Sequence, residues 1–290
     1  MSSLFSNLIT PIIYKKAPLP FQGQKKYFLN KFNECLDEFL NDYKGDLKDL
    51  IFVDAFGGSG LLSHTIKTKI PQAKVIWNDF DDYQRRLDEI PFTNELLKHF
   101  EMLRKYKKGE KISNENKEFL LSKIKEQEKL RDFVDYITLS PIVAHSAGVL
   151  KYYEEFEKTS WFFKGALLKK DASGYLEGVQ RVSVDFTELL NEYKENTNAI
   201  FVLDPPYLQT NVDGYKDNFY TLKDFLELAR LIRAPYLFFS SERSSFLEFA
   251  QWDFTKNNNL NFKDFKIKEA HHSKSSVGQK NTKDYLIYKF

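Results

Sequence analysis

The stretch "VLDPPYLQT", residues 202–210, places one acid, two prolines and an aromatic ring directly after the apolar run Ala199 to Leu203. Proline lacks the N–H that a sheet ladder needs, so Pro205 and Pro206 stop a strand. A strand stop alone calls for neither Asp204 nor Tyr207. The Asp204 carboxylate and the carbonyl left free at Pro205 are both acceptors, and a rigid extended turn aims them at one point. A single amino group could donate to both, while Tyr207 stacks on the ring that bears it. The chemistry these four residues suit is the holding of a flat aromatic amine.

Three other apolar runs also end in acids. "DAFGGSG", Asp54 to Gly60, follows one of them. Glycines after Phe56, at positions 57, 58 and 60, let the backbone pass close to a ligand and leave helix N-terminal amides facing it. Gly57, Gly58 and Gly60 do not have the GxGxxG spacing, and no GxxxxGK[ST] occurs, so such a turn serves structure as readily as binding. About twenty residues on, Asp79 and Asp81 in "WNDFDDY" stand where an acid accepts from both hydroxyls of a ribose, or else caps the next helix. Asp185 in "VSVDFTELL" could accept the exocyclic amine of an adenine, with Phe186 beside the ring; it reads equally well as an N-cap. Taken together, these strand ends favour a nucleoside ligand over a bare phosphate.

The elements that must carry these residues can be read from periodicity. In "KKYFLNKFNECLDEFLNDY", residues 25–43, Phe28, Phe32, Leu36 and Phe39 recur three or four apart, as on an amphipathic helix. "LIFVDAFGGSG" and "LLSHTIKTKI" give strand, turn and helix, and "AKVIWNDFDDY" a second strand. After roughly residue 178 the alternation resumes with "VQRVSVD", "NAIFVLD" and "APYLFFSS" as strands, each followed by a helical stretch. "FKDFKIKEAHH" and "KDYLIYKF" read as a closing antiparallel hairpin. The expected fold is α/β, a doubly wound Rossmann-like sheet with a mainly helical insertion and a C-terminal β-hairpin. The expected division is 1–88 and 179–290 as the two parts of a catalytic domain, with 89–178 inserted between them.

The order of these motifs resembles that of the Dam-like, alpha-group N6-adenine DNA methyltransferases, in which a glycine motif comes first and DPPY follows an insertion. FGGSG at 56–60 and DPPY at 204–207 match, and "PLPFQGQKKYF" is similar to the family's additional cofactor motif at Phe21, Gly23 and Lys25. The resemblance spans about 18–88 and 179–290. The segment 90–178 lacks the Dam-type target-recognition signature, so the chain resembles the looser phage and mobile-element group, and a GATC site is not implied. What the resemblance implies is S-adenosylmethionine across the glycine turn, with Asp79 on its ribose and Asp185 and Phe186 at its adenine. Lys25 would lie near its methionine carboxylate and Asp54 would take its ammonium. The catalytic set would be Asp204, Pro205, Pro206 and Tyr207. A duplex adenine would have to flip out to reach them.

Composition is compatible with that reading. The chain has 290 residues and a formal net charge of +2, too small to force a polyanionic partner, with aromatics at a high 16%. Residues 104–131 hold ten Lys or Arg against five Asp or Glu, so the basic excess is local. Arg104, Lys105, Lys107, Lys108 and Lys123 are the candidate DNA contacts there, with Lys274 and Lys280 in the hairpin loop; a solvated helical face explains the same charges. One cysteine, Cys35, excludes an internal disulfide framework and a multi-thiolate metal site. His64, His99 and His145 are scattered singly and no metal site is expected. No secretion signal or membrane span is read, and a cytoplasmic protein is expected. The expected partner is duplex DNA, with or without a cognate restriction endonuclease, and the expected state a monomer or weak dimer. An RNA adenine methyltransferase and a catalytically silent module that binds S-adenosylmethionine or DNA are the alternatives.

Overall fold

The apolar runs that end in acids become parallel strands, so their acidic ends collect along one edge of a sheet. The structure is a computed structural model that describes residues 12–144, 149–206, 220–242, 244–272 and 282–290. Tyr207, His145, Lys274 and Lys280 lie outside the described residues. Along the chain, α1 (Leu29–Asp42) leads into β1 (Ile51–Asp54), α2 (Leu61–Lys69) and β2 (Lys74–Asn78). Five helices follow: α3 (Tyr83–Asp88), α4 (Ile90–Phe100), α5 (Asn114–Arg131), α6 (Tyr136–Val143) and α7 (Tyr153–Lys158). Then come β3 (Gln180–Val182), α8 (Phe186–Tyr193), β4 (Ala199–Leu203), α9 (Leu222–Leu231), β5 (Tyr236–Ser241) and α10 (Phe246–Asn257). The antiparallel pair β6 (Lys266–His272) and β7 (Thr282–Lys289) closes the chain.

Among the described residues seven strands form one sheet, in the order β3-β2-β1-β4-β5-β7-β6. β1 through β5 are mutually parallel and β7 is antiparallel to β5, so the sheet is mixed and Rossmann-like, as the alternation predicts. The order reverses between β1 and β4, the place where open α/β sheets bind ligands beyond their C-terminal strand ends.

Alternation of side chains divides the core in two. Phe52, Val75, Ile200, Val202, Leu237 and Phe239 pack on one face with α1 and α2, through Phe32, Leu36, Leu62 and Ile66. Val53, Ile76, Phe201, Leu203, Tyr236 and Phe238 pack on the other with α8, α9 and α10. β4 is buried at all five positions, as a central parallel strand must be.

The chain divides into two compact units. One comprises Met1–Ala17, Gly23–Asp81 and Gly174–Phe290 and contains the sheet; the other comprises Pro18–Gln22 and Asp82–Ser173. The second unit has its own core, in which Leu97, Phe100, Leu120, Ile124, Leu139, Phe156 and Trp161 are buried together. A buried ion pair, Arg86 Nε to Asp135 Oδ1 at 3.0 Å, fixes the start of α6, where Asp135 also caps Thr138 N–H. Among the described residues no helix is long and apolar enough to cross a membrane.

Candidate active site

The site builds up from the C-terminal ends of β1, β2 and β4. Asp54 closes β1 with its side chain fully buried on the α1/α2 face. The Ser63 hydroxyl, on the first turn of α2, donates to Asp54 Oδ2 at 2.6 Å, while Oδ1 is buried without a hydrogen-bond partner among the described residues. Burial pushes the Asp54 carboxyl up to about 7; the Ser63 hydrogen bond opposes the rise and nearby Asp204 adds to it. An unpartnered buried polar atom costs roughly 1–3 kcal/mol, so an orphaned acceptor at a strand end marks a place built for a donor.

Asp204, the residue after β4, lies on the same face. Lys25 reaches it from the segment before α1, its Nζ 2.6 Å from Asp204 Oδ2 and 3.0 Å from the Gly23 carbonyl, and passes over the Phe239 ring. Burial raises the Asp204 carboxyl, Lys25 lowers it, and Asp284 of β7 raises it further. Three carboxylates, Asp54, Asp204 and Asp284, thus share one neighbourhood with the Lys25 ammonium, a setting that favours cationic and amine ligands. Pro205 is buried next to Asp204 and Pro206 is half-buried.

The glycine turn between β1 and α2 is tight. Gly60 N–H donates to the Gly57 carbonyl at 2.7 Å, and Gly58 and Gly60 have φ of 45° and 75°, the left-handed region that disfavours a Cβ. Gly57 lies against the Trp77 indole so closely that a Cβ there would be 2.7 Å from Nε1. A Cβ at Gly60 would meet Leu176 at 2.8 Å. Tyr175 holds the turn from the return of the insertion, its hydroxyl donating to the Ser59 carbonyl at 2.8 Å. His64 is buried beside Tyr14 and Tyr175, and burial lowers its pKa; it braces α2.

Asn78 links two strand ends. Its Nδ2 donates to the carbonyls of Ala55 and Val184, and its Oδ1 accepts Val184 N–H, each at 3.0 Å. Next to it, Asp79 is fully buried and ion-paired with Arg181 of β3, Nε to Oδ2 at 2.8 Å. Asp185 caps α8, its Oδ1 accepting Thr187 N–H at 2.8 Å. Phe186 meets Phe56, of the glycine turn, at 5.1 Å between centroids, and both meet the Tyr220 ring. Among the described residues the buried Tyr220 hydroxyl has no hydrogen-bond partner, and burial raises its pKa.

The expected residues Gly23, Lys25, Asp54, Phe56, Gly57, Gly58, Gly60, Asp79, Asp185, Phe186, Asp204, Pro205 and Pro206 all fall in the sheet-bearing unit. Phe21 falls in the other, where its ring meets Tyr83 edge-on at 5.6 Å. Trp77, Asn78, Tyr175 and Tyr220 were not singled out by sequence, because only their tertiary partners give them a role. In the helical unit, Arg104 is ion-paired with Glu101, and Lys123 with Glu126 at 2.8 Å. Lys105, Lys107 and Lys108 are exposed. Among the described residues no three His, Cys, Asp or Glu are grouped to hold a metal ion.

No family model matches the chain. It is 35% identical over 285 residues to a Haemophilus influenzae protein named "Putative methyltransferase", an alignment that covers 96% of this chain and 93% of the relative.

Proposed function

Because the chain belongs to the methyltransferase family of that Haemophilus influenzae relative, we propose that it transfers a methyl group from S-adenosylmethionine to the N6 amino group of an adenine in duplex DNA. The observation that carries this reading is the juxtaposition of Asp54 and Asp204 on one face of the sheet edge, next to a glycine turn and beside Lys25. The orphaned Oδ1 of Asp54 fits the cofactor's ammonium, since an unpartnered buried acceptor calls for a donor. When bound, the cofactor supplies a methyl group already activated on a sulfonium.

The chain's own residues have a narrower task. Adenine N6 is a poor nucleophile, because its lone pair is delocalised into the ring. Asp204 and the Pro205 carbonyl accept its two N–H groups and so favour the tetrahedral nitrogen over the planar one, an electrostatic effect strongest in a dry site. With the cofactor bound, its sulfonium methyl would be the group the nitrogen takes, and Asp204 would receive the proton that the nitrogen sheds. Tyr207 would stack on the flipped base. Asp79 with the Asp185 and Phe186 segment supports a nucleoside-binding edge, although Asp79 carries Arg181 and Asp185 serves its helix. Duplex binding falls to the basic loop at Lys105, Lys107 and Lys108.

The test is methyl transfer from labelled cofactor to unmethylated duplex DNA, duplex RNA and single strands, with Asp204→Ala as control. Label in duplex DNA that the substitution abolishes supports the proposal. Label in RNA alone supports an RNA adenine methyltransferase, and cofactor binding without transfer to any polymer supports a silent binding module.

A further inference from the structure

Two buried side-chain atoms on the α1/α2 face have no hydrogen-bond partner among the described residues, and they are complementary. Asp54 Oδ1 is an acceptor and Trp77 Nε1–H is a donor; neither has a hydrogen bond among the described residues. Asp54 and Trp77 are also direct partners in the β1–β2 register, and they are 0% and 1% exposed. Asp54 ends β1 and Trp77 is the penultimate residue of β2, both beneath the same glycine turn. The contrast with Trp161 is informative, since its Nε1 donates to the Phe156 carbonyl at 2.8 Å, as a buried indole ordinarily does. One orphan is a local defect, but an orphaned acid facing an orphaned donor across one strand pair has the polarity of an α-amino acid.

We propose that Trp77 is a cofactor-binding residue, its indole N–H receiving the α-carboxylate of an amino-acid group whose α-ammonium sits on Asp54 Oδ1. The assignment rests on the cofactor reading above and goes beyond it by naming the group that holds the carboxylate. Lys25, to which the family resemblance gives that carboxylate, has its ammonium on Asp204. Gly57 is the residue that lets the indole come so near, because a Cβ there would collide with it. Both orphaned atoms are covered by the glycine turn in this conformation, so the assignment requires the turn to shift when the ligand binds.

Calorimetric titration with S-adenosylhomocysteine and with its decarboxylated analogue tests the assignment without reference to catalysis. In the wild type, loss of the carboxylate should raise Kd by about tenfold or more, as expected for a hydrogen bond to a charged group. In Trp77→Phe the two ligands should bind alike. General damage to packing would weaken both ligands together, so the ratio is the readout. Should Trp77→Phe not fold, the Trp77 indole N–H resonance of the wild type provides the second measurement. It should move downfield with S-adenosylhomocysteine and not with the decarboxylated analogue. An unchanged ratio in Trp77→Phe, or an unmoved resonance, overturns the assignment alone. Failure of the wild type to bind either ligand overturns both the assignment and the cofactor reading.

Discussion

The Lys25 ammonium stands 2.6 Å from Asp204 Oδ2, so the acid at the end of β4 already has a cationic partner before any substrate amine arrives. Lys25 also opposes the upward push that burial and Asp284 exert on the Asp204 carboxyl. Replacing Lys25 with Met should therefore raise the pKa of Asp204. The acid limb of the rate-against-pH profile should move to higher pH, whereas Lys25→Arg should leave it in place. An unmoved limb in Lys25→Met would show that the pair does not set the ionisation of Asp204.

Asp54 ties stability to pH. Its folded-state carboxyl titrates at about 7 against an ordinary 3.8, so the folded protein binds more protons than the unfolded chain between those values. Stability should fall as pH rises from about 4 to about 7 and change little above that on account of this group. Asp54→Asn keeps an acceptor for Ser63 but removes the buried charge. It should raise stability by roughly 4 kcal/mol at pH 8 and by almost nothing at pH 4, as read by denaturant unfolding at the two pH values. The same substitution should weaken S-adenosylhomocysteine at least tenfold, because the ammonium loses its counter-charge.

The glycine turn should tolerate little. Gly57→Ala forces a methyl group into the Trp77 indole, and overpacking of this kind costs about 1–3 kcal/mol. Gly60→Ala suffers twice, from φ of 75° and from Leu176. Pairing it with Leu176→Ala should recover only the steric part. Thermal unfolding of the two single variants and the double variant checks this.

The basic excess of residues 104–131 overstates the charge available to a polyanion, because Arg104 and Lys123 are paired with acids three residues away. Replacing Lys105, Lys107 and Lys108 together with Gln should weaken duplex binding and reduce the slope of log K against log salt by about three. Arg104→Gln and Lys123→Gln should each change it by less than one. Affinities measured across a salt series distinguish the two sets.

Much of the fold was legible because it depends on local order. Apolar runs that end in Asp54, Asp79, Asp185 and Asp204 announce strands, and the helical patterns between them announce parallel crossovers. Asp185 shows where such reading divides: the cap on Thr187 is a local consequence of sequence, whereas any ligand it holds is not. Trp77 looked like an ordinary apolar strand residue. Its significance lies in an N–H with no partner among the described residues, beneath a turn twenty residues earlier in the chain. Tyr175 and Leu176 support that turn from more than a hundred residues away. The ion pair of Asp79 with Arg181, 102 residues on, was likewise invisible, because strand adjacency rather than spacing brings the two together.

The most direct test is nucleoside mass spectrometry of unmethylated duplex DNA after incubation with the protein and S-adenosylmethionine. The expected product is N6-methyldeoxyadenosine, absent when Asp204→Ala replaces the wild type. A methyl group on a cytosine, or DNA left unmodified while RNA gains the methyl group, would contradict the assignment of Asp204 and Pro205 to an adenine amine in DNA.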